Sequence, residues 1–269
     1  AGDMNLQKLA TGAVLLGGIF MVPAVIAAEA GGFVGLGVGY VPDYEGSEDY
    51  EGAPALFGKY NWASGRSIEL GGAPGAGSAA RLSANLVSES MSSNWRAGPL
   101  LQYRMERDDV DNSKVDRMED IDGTAELGAF VGFNMDRFSA ELSVAADVGD
   151  EYDGYLVYLK GDYALPVNDS LKLKFGAHLT YADSNYMDTY FGVSSRDAAR
   201  SGLSRFNADG DLKDWGLNMS ANYAINSSWG LLGVVGYSQL LNDAEDSPLV
   251  NDEGDENQFK GTIAVTYTF

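Results

Sequence analysis

The chain of 269 residues contains no cysteine and one histidine, His178. Neither a disulfide framework nor a thiolate or multi-histidine metal site is therefore open to it. Basic residues are scarce too: 18 Lys and Arg stand against 39 Asp and Glu, a formal charge of −21. Such an excess repels nucleic acid and other polyanions, so no nucleic-acid partner is expected. Past residue 30 no apolar run approaches the roughly 20 residues of a membrane-crossing helix. Glycine and aromatic residues are abundant instead, with 34 Gly, 15 Tyr, 11 Phe and 4 Trp.

Residues 1–30 read as three leading residues and a secretory signal peptide. Lys8 gives the positive region, Ala10 to Val22 the apolar run, and the small residues up to Ala30 a cleavage site. Residues 31–269 then form one domain, and its pattern repeats every two residues. In "SLKLKFGAHLTYA", residues 170 to 182, Leu171, Leu173, Phe175, Ala177, Leu179 and Tyr181 share one face. Lys172, Lys174, Gly176, His178 and Thr180 share the other. A soluble sandwich would have to bury the oily face against a second sheet, whereas a barrel in lipid turns it outward and keeps the polar face in its lumen. The chain's final strand, "GTIAVTYTF", alternates in the same way and ends on an aromatic, as known outer-membrane barrels do.

The expected fold is therefore all-β, a transmembrane antiparallel up-and-down barrel. Twelve strands are expected near 32–40, 53–62, 66–72, 79–87, 94–105, 124–134, 137–148, 154–165, 170–182, 213–225, 229–241 and 258–269. If "GGAPGAGSAA", residues 71 to 80, is a break within one strand and not a hairpin, the count falls to ten. Short turns such as "ASG", "MD" and "NSS" alternate with long acidic loops. The turns are assigned to the periplasm and the loops to the cell exterior. The long segment from Asp183 to Leu212 is a candidate to fold in and restrict the lumen.

The acid excess belongs to these loops. Residues 41–52 and 106–123 each carry a net −5, 149–153 carry −3, 184–212 carry −1 and 242–257 carry −7, which is the whole of the −21. Such loops attract cations, including Ca2+ or Mg2+ bridging lipopolysaccharide phosphates, though no dedicated cofactor is expected. "DVDNSKVDRMED" places Asp109, Asp111 and Asp120 at the first, third and twelfth positions of an EF-hand-like loop. It lacks the glycine at position six and has no flanking helix pattern, so these three are weak metal candidates.

The polar strand faces give the candidate lumen residues: Glu69, Arg96, Arg104, Glu126, Glu141, Asp147, Lys160, Asp162, Lys172, Lys174 and His178. Opposite charges across a barrel of this size can form a salt-bridged plug. A narrow cation-preferring channel is the alternative. For Ser–His chemistry only His178 could serve, with Ser143, Ser220 or Asp147 as conceivable partners, and no catalytic residue is assigned.

Ordered blocks run through nearly the whole chain beyond the signal: "GVGYVPDYEGSEDY", "RLSANLVSESMSSNWRAGPLLQYRMERDDVDNSKVDRMEDIDGTAELGAFVG", "YFGVSSRDAARSGLSRFNADGDLKD" and "NDAEDSPLVNDEGDENQFKGTIAVTYTF". In these the sequence resembles the MipA/OmpV family, the MltA-interacting protein family. The resemblance implies an outer-membrane barrel without a catalytic motif, in contact with outer-membrane lipid and lipopolysaccharide. It further implies a scaffold joining a lytic transglycosylase to a penicillin-binding protein. The segments carrying it are Asp43 to Ser47, Arg107 to Asp111, Tyr190 to Val193, Ser201 to Leu203 and Asp243 to Pro248.

Overall fold

The computed structural model describes residues 30–269, so the expected signal peptide lies outside the described residues. Twelve antiparallel strands close into one barrel, each paired with its neighbours in sequence and β1 with β12. They are β1 Gly31–Pro42, β2 Tyr50–Asn61, β3 Ser67–Gly72, β4 Ala79–Asn85, β5 Trp95–Arg104 and β6 Thr124–Met135. The second half follows as β7 Phe138–Asp147, β8 Tyr155–Pro166, β9 Leu171–Ala182, β10 Asp211–Ala224, β11 Trp229–Leu240 and β12 Asn257–Thr268. Residues 71 to 80 form a true hairpin, because Gly71 pairs with Arg81 and Gly72 with Ala80. The barrel has twelve strands, and ten is excluded.

Two-residue periodicity sets the sidedness. Val34, Leu36, Val38 and Tyr40 of β1 point outward and are exposed, as are Leu142 and Val144 of β7. In lipid these faces need no partner sheet. Inward positions of β1 include Gly35, where a Cβ would stand 2.2 Å from the Phe57 ring. The bare strand leaves room for that ring. Closure is completed by reciprocal hydrogen bonds, Phe269 N to Gly32 O at 2.9 Å and Gly32 N to Phe269 O at 3.0 Å. Among the described residues no helix is long and apolar enough to cross a membrane.

The largest buried apolar cluster lies mostly in the long loops. Val115, Met118 and Ile121 of the β5–β6 loop meet Tyr152, Leu203, Leu249 and Val250. Two short helices, α1 Ser184–Phe191 and α2 Ser195–Ser201, sit in the β9–β10 loop, and α3 Asp243–Asp246 and α4 Pro248–Asn251 in the β11–β12 loop. Asp183 caps α1 by accepting from Tyr186 N, and Ser194 caps α2 by accepting from Asp197 N. Met187, Phe191 and Val193 are fully buried. The loops thus make a packed cap over one end of the barrel, and by the rule of short periplasmic turns that end faces the cell exterior.

Candidate functional site: the filled lumen and its plug

A ladder of ion pairs crosses the lumen. Glu141 of β7 is 4% exposed and lies 2.8 Å from Arg81, 3.1 Å from Lys160 and 3.7 Å from Arg96. Toward the cap, Glu126 accepts from Arg104 Nε at 2.5 Å, from Gln102 at 2.6 Å and from the Tyr152 hydroxyl at 3.0 Å. Arg104 also donates to the hydroxyls of Tyr158 and Tyr186, each at 3.0 Å, and its guanidinium lies over the Tyr186 ring at 4.9 Å. Toward the periplasm, Glu69 pairs with Lys59 at 3.1 Å and Asp162 with Lys174 at 3.2 Å. Lys172 is exposed near the short-turn end of β9. Charges removed from water need such partners one by one.

Asp147 plays a different part at the rim. It accepts from the Thr124 hydroxyl at 2.6 Å and from the backbone N–H groups of Gly149, Glu151, Tyr152 and Asp153 at 2.8 to 3.0 Å. This carboxylate ties down the β7–β8 loop. Asp109, Asp111 and Asp120 do not assemble a site: among the described residues no group of three or more His, Cys, Asp or Glu could hold a metal ion. Asp111 N instead donates to Asp43 across the cap at 2.8 Å.

The long Asp183–Leu212 segment reaches the upper lumen through the buried Tyr186, whose hydroxyl accepts from Arg104, but the element that turns inward from the barrel wall is another. It is the β3–β4 connection, residues 73–78, in which Ala73 and Ala76 are buried. Ala76 N donates to Asp214 Oδ2 at 3.3 Å, and Lys260 Nζ donates to the carbonyls of Gly77 at 2.8 Å and Gly75 at 3.4 Å. Gly75 has φ +103°, and a Cβ there would meet Thr180 Oγ1 at 3.0 Å. A small residue tolerant of positive φ is what this tip requires. Asp214 also accepts from the Thr180 hydroxyl at 2.9 Å and pairs with Lys213, which reaches on to Glu45 of the β1–β2 loop.

His178 sits beneath this plug, 3.2 Å from Asp214 and 3.3 Å from the Ser238 hydroxyl. Both contacts fall on Nε2, whereas a Ser–His–Asp relay needs the serine and the carboxylate on opposite ring nitrogens. The partners expected from the sequence are elsewhere: Ser143 accepts from Arg81, Asp147 holds its loop, and Ser220 pairs in register with Lys174. Sequence reasoning missed Lys59, Arg81 and Lys260, although alternation places them on the polar faces. It also missed Asp214, which alternation from Gly216 likewise turns inward, and Lys213, which the bulge between Leu212 and Asp214 buries against the alternation.

A family model described as "MltA-interacting protein MipA" matches residues 34–269. The chain belongs to the MipA family. One relative of the chain is the putative outer membrane protein YiaT of Escherichia coli (strain K12), 26% identical over 60% of this chain and 63% of that protein. Another is the MltA-interacting protein of the same strain, 28% identical over 47% of this chain and 49% of that protein. The matches thus span about half to three-fifths of these relatives. Among solved structures the NanC porin covers 87% of this MipA-family chain and 98% of its own, at a TM-score of 0.48 and 10% identity. Family membership and the closed barrel together make the chain a protein of the Gram-negative outer membrane. The five segments on which the resemblance rests all fall in the cap or its base, where Arg107 donates to Tyr190 O at 3.0 Å and Ser247 to Phe191 O at 2.6 Å.

Proposed function

We propose that this barrel is a non-enzymatic, non-conducting scaffold of the outer membrane, whose periplasmic end holds a lytic transglycosylase and a penicillin-binding protein and so couples murein cleavage to synthesis. The observation that carries the non-conducting part is the plug: residues 73–78 cross from the β3–β4 side to the far wall, where Asp214 of β10 and Lys260 of β12 hold them beneath a cap with an apolar core. The scaffold part is supported by the name of the MltA-interacting relative. Partner contact falls to the periplasmic turns, where Leu86 and Met91 of the β4–β5 turn are exposed.

Two measurements test this reading. A photo-crosslinker at Met91 is expected to capture a purified MltA-type transglycosylase, and one at Glu245 in the cap is not. In planar bilayers the wild-type barrel is expected to be silent. Replacing residues 74–77 by Asn-Gly, a two-residue hairpin turn, is expected to produce discrete conductance. Cation-selective steps from the wild-type protein, with no crosslink at Met91, would replace the scaffold by the narrow cation channel.

A further inference from the structure

The barrel wall has a gap at the place from which the plug departs. β3 has six residues and β4 seven, where β5 has ten and β10 fourteen. β2 pairs with β1 along all of Tyr50–Asn61 but with β3 only over Gly58–Asn61. Among the described residues no strand pairs with this edge of β2 above Gly58. Leu56 and Pro54 stand opposite Leu36 and Val38 of β1, whose side chains are exposed on the outer face. The open edge thus lies at the depth of the apolar band, where water cannot satisfy an unpaired backbone N–H or C=O. A wall interrupted there needs a local cause.

The register supplies one. Antiparallel strands turn the N–H and C=O of successive residues to opposite neighbours. At the β2–β3 turn Trp62 N donates to Arg66 O at 3.0 Å, so even-numbered residues of β2 and β3 face each other. At the other end of β2, Asp43 N donates to Asp49 O at 3.0 Å, which turns the odd-numbered residues toward β1. Tyr60 with Ile68 and Gly58 with Leu70 are therefore bonded pairs of the seam. Continued in the same register, the next two are Leu56 with Gly72 and Pro54 with Pro74. The second of these has no N–H on either side. Neither of its hydrogen bonds can form, and the ladder stops one pair short of it, at Gly58 and Leu70.

The rest of the segment is compatible with the wall. Ala73 N already donates to Ala79 O at 2.9 Å across the hairpin. One more pair, Pro74 with Ser78, would leave Gly75, Ala76 and Gly77 as a three-residue loop, with glycine at the place where such loops take a left-handed residue. In the lumen the same segment gains the bond from Ala76 N to Asp214 and those from Lys260 to two carbonyls. We infer that Pro54 and Pro74, opposed across the seam, keep residues 73–78 out of the wall and so send them across the lumen. The effect on the wall follows from the register alone, and the effect on the pore rests on the non-conducting reading.

The test replaces both prolines, as Pro54→Val/Pro74→Val, and reads wall and pore separately. Valine supplies the missing N–H and suits a strand. In the protein refolded in micelles, hydrogen exchange at Leu56 is expected to slow by about tenfold or more, as its N–H gains the Gly72 carbonyl. In planar bilayers discrete conductance is expected to appear. Pro74→Val alone restores one of the two bonds and is expected to slow Leu56 by about threefold, half of the same free energy. Heat-modifiable gel mobility checks that each variant is folded. Unchanged exchange at Leu56 in either folded variant overturns the inference. Slowed exchange in a barrel that stays silent upholds the hold of the prolines on the wall and overturns the plug reading, as conductance by the wild type would.

Discussion

In the lumen, Glu141 is almost wholly buried and touches three cations, while at the rim Asp108 is exposed and its charged neighbours are Asp109, Asp120 and Asp122. The same carboxylate chemistry is handled in opposite ways a short distance apart along one barrel. Inside, loss of water makes each charge depend on a named partner, and the interior fills with paired groups. At the rim, solvent and salt screen the excess, so unpaired acids accumulate at little cost to the fold. Stability therefore resides in the ladder, and attraction of cations in the cap.

The largest expected effect comes from breaking the ladder at its centre. Glu141→Leu strands Arg81, Lys160 and Arg96, and removing one partner of a buried ionic cluster costs about 3–5 kcal/mol. Urea unfolding in micelles should show that loss. The same comparison is sharpened by Glu141→Leu/Lys160→Met/Arg81→Met, which replaces most of the cluster by apolar side chains and should recover much of the stability. If the single variant unfolds like wild type, the ladder is not what holds the barrel closed on itself.

An intermediate effect is expected where the two regimes meet. Asp147→Ala removes the acceptor of four loop N–H groups and of the Thr124 hydroxyl. These hydrogen bonds are part-buried or exposed, so water replaces much of what is lost and the cost is about 1 kcal/mol. Hydrogen exchange at Gly149 to Asp153 should accelerate while exchange in β7 below Leu142 stays slow. Uniform acceleration would mean that the loop and barrel open together.

How much of this was legible in the sequence depends on which physics wrote it. The strands were, because a wall between lipid and lumen imposes period two on every residue it contains: β9 was expected at 170–182 and stands at Leu171–Ala182. The inward charges followed from the same alternation until the bulge at Leu212 broke it. The plug was not legible. Residues 73–78 are small and uncharged, so the sequence announces a turn but not that Lys260 and Asp214, far away in the chain, will draw it inward. The cap was half legible: its acids were conspicuous, while Val115, Met118, Leu249 and Val250 among them carried the apolar core without any regular period.

The smallest expected effect tests the rim itself. Glu106, Asp108 and Glu151 all have pKa values raised by partial burial, with neighbouring acids adding to the shift. A carboxyl whose pKa is higher in the folded than in the unfolded chain binds its proton more tightly when folded. Its contribution to stability therefore grows as pH falls through the raised value and is lost as pH rises through it, in a window just above the usual carboxylate range of about 4. The rim should make the protein slightly less stable at neutral pH than at mildly acidic pH, and more so at low salt. In Glu106→Gln/Asp108→Asn/Glu151→Gln that part of the pH dependence should flatten, while unfolding at neutral pH shifts within about 0.5 kcal/mol, as for exposed positions generally. A variant that instead lost stability as Glu141→Leu does would mean that the rim acids are partnered as the lumen acids are, and the contrast between the two regions would fail.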